Sequence, residues 1–332
     1  MALRPIDNAL PITPERPKKQ AKVSVPVQKK PSEFGVNDEN KAPLPPSADA
    51  SVDYIPSENL KPFQDPESII QSLIEGLDSK DWVNLCESLN DSRRFSLYHS
   101  TLLLPILEKV ILVVVKAMKN PRSALCKTSI MAASDIFNAF GEKLLDSTDS
   151  GAFDQLLLQL LLKASQDKKF VCEEADRSLN AMVKSMAPLP LLQKLRGYVN
   201  HGNLRVRAKA SVSISNSVLK MVQYRENSLA TNVYKMSNIV SHVGHCYFYQ
   251  LQGLEEIKEF GMVTLLQMAA DLLNDRLPEA REAARSIVFS VYKAFTENEE
   301  EMEEEAWQSF CQTNLPPNHA QSMVKVILSS RV

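Results

Sequence analysis

The chain has 332 residues with only 9 glycines and 19 prolines, and its 38 basic and 40 acidic side chains leave a net charge of −2. Scarce glycine argues against doubly wound nucleotide-binding folds, tight-turned β-sandwiches and collagen-like repeats, and the near-balance of charge excludes an evidently basic nucleic-acid binder. The five cysteines (Cys86, Cys126, Cys172, Cys246 and Cys311) are odd in number and contain no C-x-x-C pair, so neither a disulfide framework nor a zinc site is expected and a reducing compartment is the simplest inference.

Twelve of the prolines lie between Pro5 and Pro66, and residues 1–30 hold seven basic side chains against Asp7 and Glu15. Lys18, Lys19, Lys22, Lys29 and Lys30 stand among Pro14, Pro17, Pro26 and Pro31 with neither helical nor strand period. Residues 1–64 therefore read as a disordered, basic, proline-rich arm, because too little apolar surface is present to offset the entropy of ordering. No apolar stretch follows the first residues, so no secretory signal is expected.

From Asp65 the pattern becomes helical. Ile69, Ile70, Leu73 and Leu77 predict a short amphipathic helix opened by Asp65-Pro66-Glu67, a cap, a first-turn proline and a dipole-favoured acid. A second helix starts near Lys80, with Trp82, Leu85, Cys86 and Leu89 on one face. Helices then recur in pairs: 101–118 and 122–145, 153–164 and 168–186, 189–200 and 204–222, 254–273 and 278–296, with shorter ones near 301–313 and 317–329. The greasiest stretch, Leu102 to Met118, is broken by Pro105, Glu108, Lys109 and Lys116, which makes it a buried helix and not a membrane span. The seven glutamates from Glu297 to Glu305 read as a solvated helix face. Only a doubtful region near 240–250 resembles a strand.

Polar turns separate the two helices of each pair: Ser79-Lys80-Asp81-Trp82, Asn120-Pro121-Arg122, Asp167-Lys168-Lys169, Asn203-Leu204-Arg205-Val206-Arg207, and Asp275-Arg276. The intervals Trp82 to Arg122, Arg122 to Lys168 and Lys168 to Arg205 are 40, 46 and 37 residues, close to the roughly 40–47 of HEAT and armadillo repeats. The expected fold is all-α, an α-solenoid of about five to six HEAT-like helix pairs over residues 65–329. The next interval, Arg205 to Arg276, is 71 residues. Its surplus falls at 222–250, where Tyr224, Tyr234, Tyr247, Phe248 and Tyr249 crowd together with His242 and His245. That stretch reads as an insertion: a functional loop, a splice variant or a gene-model artefact.

Sequence signatures of catalysis are missing. The chain contains no phosphate-cradling glycine loop, G-x-S-x-G elbow or H-E-x-x-H helix. His242-x-x-His245-Cys246 lacks a second ligand cluster, so chance composition is the better reading. Cys86, Cys126 and Cys172, each about four residues into the second helix of a pair, read as small core fillers. No enzyme activity, metal, cofactor or small-molecule substrate is expected.

A stacked solenoid places every loop within a pair on the same edge. That ridge would carry Trp82, Arg122, Lys168, Lys169, Asn203, Arg205, Arg207 and Arg276, a basic row with one aromatic at its end that suits a large acidic protein surface. Trp82 has two readings of equal standing, a ridge contact and a core anchor of the first pair. A single candidate stacking aromatic and the acidic net charge argue against a nucleic-acid partner.

Asp81-Trp82, Asn120-Pro-Arg122-Ser123, Asp167-Lys-Lys-Phe-Val171 and Asn203-Leu-Arg-Val-Arg207 resemble, in order and spacing, the loops of TOG domains, particularly those of CLASP and crescerin-type microtubule regulators. The resemblance covers roughly residues 65–296 apart from 222–250. It implies a paddle of HEAT repeats that binds tubulin through its intra-repeat loops, Trp82 towards β-tubulin and the later basic loops towards α-tubulin. It further implies a non-enzymatic regulator of microtubule dynamics or organisation on the cytoplasmic cytoskeleton, spindle or cilium included. Two features depart from the family's pattern: Leu85 stands where a basic residue three positions after the tryptophan is common, and the sixth pair is ragged. A general HEAT scaffold or adaptor, gripping a different protein on its concave face, is the alternative.

Overall fold

In the computed structural model of the chain, the described residues are 54–146, 151–235, 257–296 and 303–330. They belong to one compact unit, Ala50–Val332. Helix α1 (Pro66–Gly76) opens on Asp65, whose Oδ1 accepts the Ser68 N–H at 3.3 Å. Helix α2 (Trp82–Tyr98) follows. The single helix expected over 101–118 is divided into α3 (Ser100–Leu103), a 3-10 turn (Leu104–Ile106) and α4 (Leu107–Met118). Pro105 accounts for the break, since it offers no N–H and its ring crowds the preceding turn. Next come α5 (Ser123–Asp146), α6 (Ala152–Ala164), α7 (Lys169–Ser185), α8 (Pro188–Arg196) and α9 (Leu204–Lys235). The chain closes with α10 (Met262–Leu273), α11 (Pro278–Thr296), α12 (Glu303–Asn314) and α13 (Pro317–Leu328). The described residues include no strand.

The helices form an all-α solenoid. α1 packs on α2, α4 on α5, α6 on α7, α8 on α9, α10 on α11 and α12 on α13, six pairs among the described residues. The second helices α2, α5, α7, α9 and α11 lie side by side in that order, and α4 lies against α6 in the other layer. The core runs between the layers: Leu89, Val110, Ile136, Leu156, Leu160, Leu191, Ile214, Leu265 and Ile287 are fully buried. Small residues set the spacing of the second layer. A Cβ on Gly141 of α5 would lie 2.3 Å from the Ser185 carbonyl oxygen at the end of α7, a contact only a glycine permits.

Packed structure begins ahead of residue 65, where the arm was expected to end. Leu60 is buried in the body. Residues Tyr54 to Phe63 form a strap over α2 and α5. Arg93, fully buried, donates from Nε to Asp135 Oδ2 (2.7 Å), from Nη1 to the Ile55 carbonyl (2.8 Å) and Asn90 Oδ1 (3.0 Å), and from Nη2 to Ser57 Oγ (3.1 Å). The Ser57 hydroxyl donates to the other carboxylate oxygen of Asp135 at 2.7 Å. Further along, Tyr98 donates to the Leu60 carbonyl at 2.7 Å and the Phe63 ring packs 5.0 Å from that of Phe95. The disorder expected of residues 1–53 lies outside the described residues.

Two more expectations change. Helix α9 continues to Lys235, past residue 222 where an insertion was expected to begin; the backbone of 223–235 is helical. The rest of that stretch, with its doubtful strand, His242, His245 and Cys246, lies outside the described residues. The sixth pair is also better built than its sequence suggests. Trp307 of α12 is 1% exposed and sits edge-on to Tyr292 (5.2 Å) and Phe295 (5.5 Å) of α11, which anchors the last pair to the fifth.

Candidate functional site: the ridge of intra-pair loops

Four of the loops within pairs share a local design. An Asp or Asn side chain accepts the backbone N–H two residues on, closing an Asx turn that starts the second helix. Asp81 accepts from Val83 (3.2 Å), Asn120 from Arg122 (2.9 Å), Asn203 from Arg205 (3.0 Å) and Asp275 from Leu277 (2.8 Å). The side-chain oxygen of Asn203, one of the expected contact residues, is therefore engaged in shaping its own turn.

Basic side chains then tie each loop to the next. The Arg122 guanidinium lies over the Trp82 ring, 5.1 Å from its centroid. Lys168 Nζ donates to Ser123 Oγ at 3.3 Å. Arg205 Nη1 pairs with Asp167 (2.5 Å) and donates to the Ser165 carbonyl (3.2 Å). Arg207 Nε pairs with Asp275 at 2.6 Å while its Nη1 caps the His201 carbonyl at 3.1 Å. Just inside this edge Lys209 reaches Asp176 at 3.0 Å and Glu279 at 3.6 Å, joining α7, α9 and α11. Five successive loops are thus linked, which brings Trp82, Arg122, Lys168, Lys169, Asn203, Arg205 and Arg276 onto one edge.

Their exposure divides them. Arg122, Lys168, Lys169, Asn203, Arg205 and Arg276 are exposed. Trp82 is half-buried: one side packs on the core and Arg122 covers its ring, so both sequence readings describe part of it. Arg207 differs in kind, with its side chain 21% exposed and its charge spent on a buried Asp275. Residues 205 and 207 look alike in sequence, but two positions along a helix turn a side chain about 200° round the axis. Sequence reading also passed over Phe170, in the first turn of α7 and 40% exposed.

The electrostatics of the edge follow from these contacts. Burial pushes the Asp275 carboxyl up, but the Leu277 N–H and the Arg207 ion pair outweigh it and hold the group below the usual carboxylate range. For Lys209 burial works downward, yet Asp176 and Glu279 raise it overall. Burial pushes the thiols of Cys86, Cys126 and Cys172 up, and that of Cys311 up to about 12, so these sulfurs remain protonated near neutral pH. Cys172 is half-exposed, not the core filler its spacing suggests, and its Sγ rests 2.8 Å from the Ala164 carbonyl at the loop edge. Among the described residues no three His, Cys, Asp or Glu side chains gather as a metal site, and no helix is long and apolar enough to cross a membrane.

No known family profile matches the chain. Over 158 residues, 47% of this chain, it is 28% identical to the mouse TOG array regulator of axonemal microtubules protein 1; over 143 residues, 43% of the chain, it is 30% identical to the human protein of that name. Close to half of the chain is thus similar to part of these TOG array regulators. The matches span 9% and 8% of those relatives, so the chain corresponds to a small part of their length. A solved structure from work on TOG–tubulin binding specificity, microtubule dynamics and mitotic spindle formation is also similar, with TM-score 0.43 and 12% identity over 71% of this chain and 88% of that one.

The Asp275 pairing makes the fold sensitive to acid. A carboxylate whose folded pKa lies below its unfolded value contributes stability that is complete above the unfolded value, here 3.8, and is lost as pH falls through the lower folded one. Asp275→Asn keeps the turn acceptor and removes the charge. The melting temperature of the wild type is therefore expected to exceed that of Asp275→Asn by a constant margin above about pH 5, and the margin to close as pH drops below 3.8. Thermal melts of both proteins from neutral pH into acid check this.

Proposed function

We propose that this chain is a TOG-like, non-enzymatic, microtubule-associated module that binds tubulin through its ridge of intra-pair loops and so regulates microtubule dynamics or organisation. One observation carries the reading: the exposed cations Arg122, Lys168, Lys169, Arg205 and Arg276 stand in loops that are physically linked one to the next. A continuous basic edge on a rigid scaffold fits an extended acidic protein surface, and charge complementarity of this kind steers and orients association. The names of the relatives, regulators of axonemal microtubules, support the same partner. The module would act by preferring one conformation of tubulin, because a ligand moves an equilibrium only through its differential affinity for the two states. The basic residues at the head of the chain would add a weak, salt-sensitive attraction to the acidic microtubule surface. Its expected place is the microtubule cytoskeleton of the cytoplasm, in the spindle or cilium.

Microtubule co-sedimentation together with gel filtration alongside free tubulin tests this. The folded protein is expected to pellet with polymer or co-elute with the dimer at low salt, and to be released as salt rises. A folded protein that does neither at low salt overturns the proposal.

A further inference from the structure

The ridge also carries an apolar group. Phe170 follows Lys168 and Lys169 in the third loop, at the middle of the linked series, and is the one exposed phenylalanine among the described residues. Helix α7 turns a different face inward: its buried apolar residues are Val171, Ala175, Leu179, Met182 and Val183, with Glu174 and Ser178 among them. The next exposed position on the same helix face is Glu173, which pairs loosely with Lys169 at 3.7 Å in the open. The other exposed large apolar side chains, such as Leu97, Tyr98, Leu104 and Leu112, lie at the far end of α2, in the 3-10 turn after α3 or along α4, away from the loops between paired helices.

A single exposed apolar side chain is ordinary on a protein surface. Its setting makes this one different. Protein interfaces concentrate their affinity in a few aromatic or arginine anchors that enter desolvated pockets, while flanking charges supply orientation and rate. A partly exposed aromatic ring, two exposed lysines beside it and a loop tied to the next repeat by the Arg205–Asp167 pair meet that description.

We propose that Phe170 is the apolar anchor of the ridge, entering an apolar depression on tubulin while Lys168 and Lys169 meet carboxylates at its rim. This rests on the tubulin reading above, which it extends to a residue that determines affinity. The full chain is titrated into labelled tubulin dimer at two salt concentrations, as wild type, Phe170→Ala, Phe170→Leu and Lys168→Glu. Phe170→Ala is expected to weaken binding about tenfold or more with unchanged salt dependence, Phe170→Leu to retain most of the affinity, and Lys168→Glu to weaken binding mainly at low salt. Because Phe170 is exposed, all variants should melt close to the wild type, which thermal melts verify. If Phe170→Ala loses less than about fivefold while Lys168→Glu weakens binding, the anchor is overturned and the basic ridge stands. If the wild type does not bind at low salt, both readings fall.

Discussion

Replacing Arg93 by methionine is expected to lower the stability of the folded chain by about 3–5 kcal/mol, a large part of the roughly 5–15 kcal/mol that holds a typical domain together. The substitution strands a carboxylate. Asp135 has a side chain only 3% exposed, and Arg93 supplies its ionic partner at 2.7 Å. A buried charge left without its counter-charge suffers its full desolvation penalty, whereas removing both charges in favour of well-packed apolar groups is often close to neutral. The double variant Arg93→Met/Asp135→Leu should therefore be more stable than the sum of the two single losses predicts. Urea unfolding of the two single variants and the double variant measures this coupling. Limited proteolysis supplies a second readout: Arg93 also holds the Ile55 carbonyl and Ser57 hydroxyl, so Arg93→Met should expose the Tyr54–Leu60 strap to cleavage before the helices unfold. Equal losses in an additive cycle would show that the pair contributes nothing beyond its separate parts.

The second large effect concerns binding. The triple reversal Arg122→Glu/Lys168→Glu/Lys169→Glu is expected to weaken tubulin binding at low salt by at least about 100-fold, or roughly 2.7 kcal/mol, and to flatten its salt dependence. All three side chains are exposed, and they make a cation–π stack, one 3.3 Å hydrogen bond and a surface ion pair. Such contacts stabilise by about 1 kcal/mol or less each, so the variant should stay folded. Arg207→Glu makes the contrasting control, since it sets a carboxylate against the buried Asp275 and should destabilise the protein instead of acting on the partner alone. Binding assays paired with melts separate the two effects. A triple variant that binds tubulin as tightly as the wild type would favour a scaffold that grips its partner on the concave face.

Much of this architecture was legible residue by residue. Asp65 and Pro66 placed the start of α1, and Asp81, Asn120, Asn203 and Asp275 marked the start of a second helix because an Asx side chain competes for the first free N–H groups of a helix. The repeat interval and the line of basic loop residues followed from that punctuation. What sequence could not convey were partnerships across repeats. Ser57, Arg93 and Asp135 lie up to 78 residues apart and leave no periodic trace, so the strap was read as arm. Pro105 was counted as an interruption of hydrophobicity, although its larger effect was on the backbone. The difference between Arg205 and Arg207 depends on which way each points from α9, and the exposure of Phe170 depends on its neighbour Val171 taking the inward place, which no spacing of apolar residues marks.

The cross-links from Trp82 to Arg122, Lys168 to Ser123, Arg205 to Asp167 and Arg207 to Asp275 carry a thermodynamic consequence for any partner of that edge. Loops that are loose before binding must surrender side-chain and backbone freedom when they dock, and that loss subtracts directly from affinity. Here part of that loss has already occurred during folding. Association with this edge can therefore be fast and nearly rigid, and the spacing between neighbouring turns becomes a ruler: a surface whose acidic groups are set to a different pitch gains nothing from the loops beyond the first.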